Sequence, residues 1–306
     1  MERIPYLGQT ILKWQVGASS FLALPEWGAR LMNWNVTLGD GSVRDILYWP
    51  EVSNLDNFPR IRGGNPILFP FNGRTYDRGE IHHWRAEDGV RRPMPMHGIA
   101  RQGKFKLTRL DEGGFSAVFL PDEEAKAAYP YDYEFTVSYR FEPKGLYVEL
   151  ELANRGTTPL PWSAGHHFYF TLPWTAGLSR NDYVLETPAT RTLKHIESGR
   201  VVDGPRLGQR ELVGNPALID TIHTGLRGHA FTVTESESKQ KLRFNTGFTN
   251  TTAKDAAIVT WAEDDKVPYF CVEPWMGPPN SPENKIGLHH VGPGQNQKFF
   301  VEITLA

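Results

Sequence analysis

The chain of 306 residues holds one cysteine, Cys271, so no disulfide can form within it and nothing points to an oxidising compartment. It lacks any run of about eighteen apolar residues that could span a bilayer. Segment 1–16 is interrupted by Glu2, Arg3, Gln9 and Lys13 and lacks the unbroken apolar stretch of a secretory signal. A cytoplasmic location and no membrane partner are therefore expected. An excess of one charge is also missing. Thirty-three basic residues stand against 35 acidic ones, with no long run of either sign, so the chain offers no electrostatic footprint for nucleic acid. Helical periodicity is scarce: segment 121–128, with Pro, Asp and two Glu at its start, reads as one short helix. Alternating βαβ units, repeats of fixed period and low-complexity tracts are absent, which argues against a doubly wound parallel sheet, a propeller and a solenoid.

What is present is strand signal in both halves. Hydrophobic residues are 40% and charged residues 22% of the chain, which is globular rather than disordered composition. Phe135, Val137, Tyr139 and Phe141 alternate with Thr136, Ser138 and Arg140, the pattern of a half-buried strand. After the turn formers Pro143, Lys144 and Gly145, a second strand sets Val148, Leu150 and Leu152 against Glu149 and Glu151, and the two form a hairpin. Segments 115–120, 229–234, 241–245 and 299–305 alternate in the same way. The 29 glycines and 23 prolines are spread over the whole length, so turns are frequent and no linker divides the chain. The expected architecture is all-β: one antiparallel β-sandwich domain over residues 1–306. Nine Trp, eleven Tyr and seventeen Phe supply rings that fill such a core, or that meet the C–H faces of a sugar.

Polar groups concentrate in four segments with apolar or Gly/Pro-rich surroundings. The first, RGGNPILFPFNGR (62–74), puts Gly63 and Gly64 beside Arg62, either as a tight turn before a buried strand or as backbone that a ligand can approach closely. The second runs from Met96 through His97 and Gly98 to Arg101. The third, WSAGHHFYF, sets His166 and His167 side by side; in a regular strand they point to opposite faces, so one of them can face a given pocket. The fourth, FCVEPWMGPPN, places Glu273 between an apolar strand and a Pro/Gly loop, with Trp275 two residues on. A carboxylate there is expected to be partly desolvated and suited to act as a base. Each segment alone is more often structural than catalytic.

In order and spacing the four segments resemble the motifs of the aldose 1-epimerase (galactose mutarotase-like) family. Residues 63–70 are similar to its G-G-x-P-x-x-F-P stretch and 97–101 to its H-G-x-A-R. Residues 167–170 are similar to its H-x-Y-F, and 272–275 to the V-E-P-W form of one branch. The likeness runs from about Gly28 to Glu302. It implies the galactose mutarotase-like supersandwich and an isomerase that interconverts the α and β anomers of a hexose without a cofactor or a metal. It implies Glu273 as general base and His167 as general acid. His97, Arg62, Asp220 and Trp275 are implied as groups that hold the sugar, and a monomer or homodimer is expected. Many members carry Asn where this chain has His166, so the choice of His167 rests on the Tyr-Phe spacing.

Ring opening takes a proton from the anomeric hydroxyl while the ring oxygen gains one, and reclosure on either face reverses the roles. Values of pKa near neutrality are expected for both groups. A hexose-6-phosphate mutarotase, with Arg62, Arg74 or Arg101 meeting phosphate, and a carbohydrate-binding protein without turnover are the alternatives. The pairs His82–His83, His166–His167 and His289–His290 show no metal-ligand spacing. Cys271 lies in an apolar run, where a thiol is expected to be inert core. No G-x-S-x-G elbow is present, and Gly292-Pro293-Gly294 is not followed by the helix of a dinucleotide site.

Overall fold

A computed structural model describes residues 1–249 and 255–306. The alternating segments are strands. Tyr133–Glu142 and Gly145–Asn154 pair antiparallel from Tyr133 opposite Asn154 to Glu142 opposite Gly145, with Pro143 and Lys144 as the turn. Phe135, Val137 and Tyr139 are fully buried on one face, as are Val148, Leu150 and Leu152. Burying each such side chain stabilises the fold by roughly 1.5–3 kcal/mol.

This hairpin sits near the middle of a nine-stranded sheet among the described residues, between Gly114–Leu120 on one side and Asn296–Leu305 on the other. Lys241–Thr249, Ala230–Glu235 and Tyr183–Glu186 continue the sheet outward. The second sheet is larger. Its N-terminal meander ends at Val43–Leu47, which joins Phe168–Thr171, followed in space by Tyr269–Trp275, Ala257–Trp261, Thr221–Thr224 and Arg191–His195. Pairing between the named strands of both sheets is antiparallel throughout.

The sheets pack face to face. Phe21 stacks on Phe141 at 4.3 Å, Trp14 lies 5.0 Å from Phe141, and Phe170 meets Phe244 edge-on at 5.2 Å. One apolar cluster runs through the sandwich from Leu12 to Leu305. The short helix forms as Glu123–Ala128, with Asp122 accepting a hydrogen bond from the Ala125 amide as its N-terminal cap. Among the described residues no helix is long and apolar enough to cross a membrane.

Period two in the central strands of the larger sheet decides what faces where. Phe168, Phe170, Phe270 and Val272 enter the core between the sheets. Tyr169, Tyr269 and Cys271 form a separate cluster on the other face. That outer face, covered by loops, carries the polar groups.

Candidate active site

Gly165 lies opposite Trp275 and Phe168 opposite Val272 across the same pair of chain segments. Counting inward from both points puts His167 opposite Glu273 on the outer face. The two histidines do separate. His166 turns into the core, where its ring stacks on Phe168 at 5.3 Å and lies 5.8 Å from Phe299 of the other sheet. Its Nδ1 accepts from Asn65 Nδ2 at 3.1 Å. His167 faces a cavity of about 630 Å³.

All six residues singled out from the sequence, Glu273, His167, His97, Arg62, Asp220 and Trp275, line this cavity. His167 Nε2 stands 3.5 Å from Glu273 Oε1. The His167 ring lies flat on Tyr169 at 4.7 Å and meets His97 edge-on at 5.4 Å. Its amide donates to Asn65 Oδ1 and to the Pro66 carbonyl, each at 3.2 Å. Asn65 Nδ2 also donates to the Tyr139 hydroxyl at 2.8 Å, which ties the site to the opposite sheet. His167 Nδ1 and Glu273 Oε2 are buried and make no hydrogen bond among the described residues.

Electrostatics differ from the expectation of two near-neutral groups. Burial pushes the Glu273 carboxyl well above the usual range, and the negative charge of Asp220 adds to it. Burial pushes His167 down to about 3, and Arg101 acts in the same direction. Both shifts favour the uncharged form because burial takes the two groups out of water. Sequence predicted the desolvation of Glu273 but understated it, since the residue is 1% exposed.

His97 is held by its backbone. Its φ of 68° is left-handed, and the following Gly98, at 80°, passes so close to Phe69 that an added Cβ would lie 2.0 Å from the Phe69 carbonyl oxygen. The His97 amide donates to the Gly73 carbonyl at 2.7 Å, and the Gly73 amide donates back to His97 Nδ1 at 3.2 Å. With Nδ1 accepting and burial keeping the ring neutral, the proton sits on Nε2. His97 is therefore a hydrogen-bond donor.

Trp275 Nε1 donates to the His166 carbonyl at 3.2 Å and presents its ring to His97 at 6.0 Å. Arg62 lies at the rim, ion-paired with Glu263 and 5.4 Å over the Trp261 ring. Asp220, with φ of 52°, follows the turn before Thr221–Thr224. Its carboxyl is raised by burial, with Lys194 and Arg74 opposing. The cavity also holds Arg74, Arg101, Tyr169, Trp261 and His195. Arg74 and Arg101 sit inside motifs already singled out, and Tyr169 follows His167 by one strand period. His195 carried no local signal: it arrives on a strand three places across the sheet from Tyr269–Trp275.

Cys271 is fully buried, as its apolar run led one to expect, and burial pushes its thiol up; the small apolar cluster that holds it, with Tyr169 and Tyr269, lies on the face that also carries Glu273. One ligand atom from each of His167, Cys271 and Glu273 falls within 4.8 Å of the others. The histidine pairs gave no hint of this group, because it is assembled by strand pairing.

The sequence profile of the aldose 1-epimerase family matches residues 12–294. Protein LacX of Lactococcus lactis subsp. lactis is 24% identical over 234 residues, covering 70% of this chain and 74% of LacX. A galactose mutarotase-like protein from Clostridium acetobutylicum superimposes with a TM-score of 0.80 at 18% identity, over all of this chain and 98% of that one. A galactose mutarotase related enzyme from Lactobacillus acidophilus gives 0.77 at 18% identity, over 97% of each. With a profile match over nearly its whole length and the galactose mutarotase-like fold, the chain belongs to the aldose 1-epimerase family.

Proposed function

We propose that this protein is a mutarotase that opens and recloses a hexose ring with Glu273 as base and His167 as acid. The observation that carries this reading is the approach of the two groups, 3.5 Å apart in the wall of one cavity. The anomeric hydroxyl and the ring oxygen are bonded to the same carbon, so the groups that serve them must be near neighbours. Glu273 takes the hydroxyl proton, His167 gives one to the ring oxygen, and the open-chain aldehyde rotates about its C1–C2 bond before reclosing with the roles exchanged.

The pair must share one proton. Burial alone keeps it on Glu273, whereas ring opening in this direction needs it on His167. Hydrogen bonds donated by sugar hydroxyls to the carboxylate favour the charged arrangement and would supply what desolvation removes. His97 Nε2–H is suited to donate to a sugar oxygen, and Trp275 offers an apolar face. Each positioned acid or base contributes about 10² to 10⁴ in rate, ample for a reaction that also proceeds in water.

Polarimetry of freshly dissolved α-D-glucose and α-D-galactose tests the proposal. Decay of rotation well above the buffer rate is expected. Decay at the buffer rate for several hexoses would leave a carbohydrate-binding protein without turnover. A second reading, a hexose-6-phosphate mutarotase, is favoured by Arg62, Arg74 and Arg101 lining the cavity, with Arg101 Nε buried and without a partner among the described residues. Running free and 6-phosphorylated sugars in the same assay separates the two.

A further inference from the structure

We propose that the wall of this cavity carries a zinc site, with a ring nitrogen of His167, the sulfur of Cys271 and a carboxylate oxygen of Glu273 as ligands. An ion bound there arrests the acid–base pair. That consequence for turnover rests on the mutarotase reading; binding of the ion does not.

The site is a product of strand pairing. Cys271 and Glu273 are two residues apart on one strand and share its outer face, and Tyr169, next in phase after His167, pairs with Cys271 on the adjoining strand. The three side chains thus converge from one strand and from the break between Gly165–His166 and Phe168–Thr171, both of which pair with it on either side of His167. Zinc holds thiolate sulfur at about 2.3 Å and imidazole nitrogen or carboxylate oxygen at about 2.0–2.2 Å, so in a tetrahedral site these atoms stand roughly 3.4–3.6 Å from one another. His167 Nε2 and Glu273 Oε1 already have that spacing at 3.5 Å. The remaining separations, none above 4.8 Å, need closing by at most about 1.4 Å.

Three further observations favour an ion. Glu273 Oε2 and His167 Nδ1, the atoms turned away from the 3.5 Å contact, have no hydrogen-bond partner among the described residues, so no bond through them holds either side chain against the small rotation that ligation needs. The donor set of one sulfur, one nitrogen and one oxygen suits a borderline cation such as zinc and not magnesium or calcium. His167 and Glu273 line the cavity, which leaves a fourth position open to solvent. Arg62 and Arg101 also line the cavity, and a bare dication would be repelled there. Loss of one proton from the Cys271 thiol and one from the Glu273 carboxylic acid offsets the two charges of the incoming ion, so coordination adds no net charge beside them.

Calorimetry with zinc chloride, and cobalt(II) as a spectroscopic probe, test the site on the full chain. One ion per chain is expected, with a sulfur-to-cobalt charge-transfer band. Cys271→Ser and Cys271→Ala are each expected to weaken zinc binding by at least about 100-fold and to abolish that band, and His167→Asn to weaken binding similarly. Both Cys271 variants should mutarotate like the parent without added metal, and lose their sensitivity to zinc. Zinc binding of unchanged strength in the cysteine variants, or no saturable binding to the parent chain, overturns the proposal. If zinc binds as expected but rotation of every sugar decays at the buffer rate, the site stands and the mutarotase reading falls. Rapid decay that saturating zinc leaves untouched would overturn the arrest of the pair by the ion while supporting the mutarotase reading.

Discussion

His167, in the break between Gly165–His166 and Phe168–Thr171, lies across from Glu273 of Tyr269–Trp275, and its Nε2 comes to 3.5 Å from Glu273 Oε1 although the two are 106 positions apart in sequence. The spacing follows from the backbone. Gly165 opposite Trp275 and Phe168 opposite Val272 fix the register, and hydrogen bonds from the His167 amide to Asn65 and Pro66 fix the entry of that strand.

Replacing either member of the pair should remove most activity and spare the fold. Glu273→Gln and His167→Asn are each expected to lower kcat by about 10² to 10⁴ with an unchanged circular dichroism spectrum. His166→Asn should lower stability and leave kcat within an order of magnitude, because that ring lies in the core. A larger loss of kcat from His166→Asn than from His167→Asn would show that the acid has been misassigned.

On the proposed mechanism the pair works while it holds one proton, so kcat/KM should follow a bell. Its acid limb, where His167 also becomes protonated, belongs near the value of about 3 to which burial pushes that ring. Its alkaline limb, where the last proton leaves, belongs well above the ordinary carboxylate range because Glu273 is raised. The same shift sets a stability trend. A raised carboxyl binds more protons folded than unfolded, so its contribution to stability declines as pH rises from the unfolded carboxylate pKa through the folded one. Glu273→Gln should therefore raise the unfolding free energy more at pH 8 than at pH 5. An equal gain at both would contradict the shift.

Asn65 should matter for both folding and turnover. Its side chain satisfies His166 Nδ1, the Tyr139 hydroxyl and, in part, the His167 amide. Asn65→Ala leaves buried polar groups without partners and is expected to cost about 2–4 kcal/mol in denaturant unfolding. It should also lower kcat, with KM little changed, if its loss loosens the acid.

Gly98 and Gly89 make a matched pair of tests. Both have positive φ, 80° and 78°, but an alanine Cβ at 98 meets the Phe69 carbonyl oxygen whereas at 89 it meets nothing within 4 Å. Gly89→Ala should cost about 1–2 kcal/mol, the penalty of left-handed backbone alone. Gly98→Ala should cost about 2–4 kcal/mol and reduce activity by displacing His97.

Much of the fold was legible because the determinant is local. Alternation in 135–141 and 148–152 translates directly into one buried face, and Pro143-Lys144 supplies the turn, so an all-β antiparallel sandwich followed from short stretches of chain. Glu273, His97 and Arg62 were singled out for a different reason: each stands in or beside a motif that resembles the family's, and all three line the cavity. His195 and Trp261 were not, since each reaches the cavity from a strand whose own pattern is ordinary.

The sequence by itself determined that His166 and His167 must part, because successive side chains of a strand point to opposite faces. Only the tertiary structure decided which of them meets Glu273, that the buried Cys271 shares a face with Glu273, and that both ionisable partners are driven toward their uncharged forms. Those outcomes depend on which face of the sheet the second sheet covers and on how tightly loops close over the other. Such long-range contacts are not encoded in any one segment.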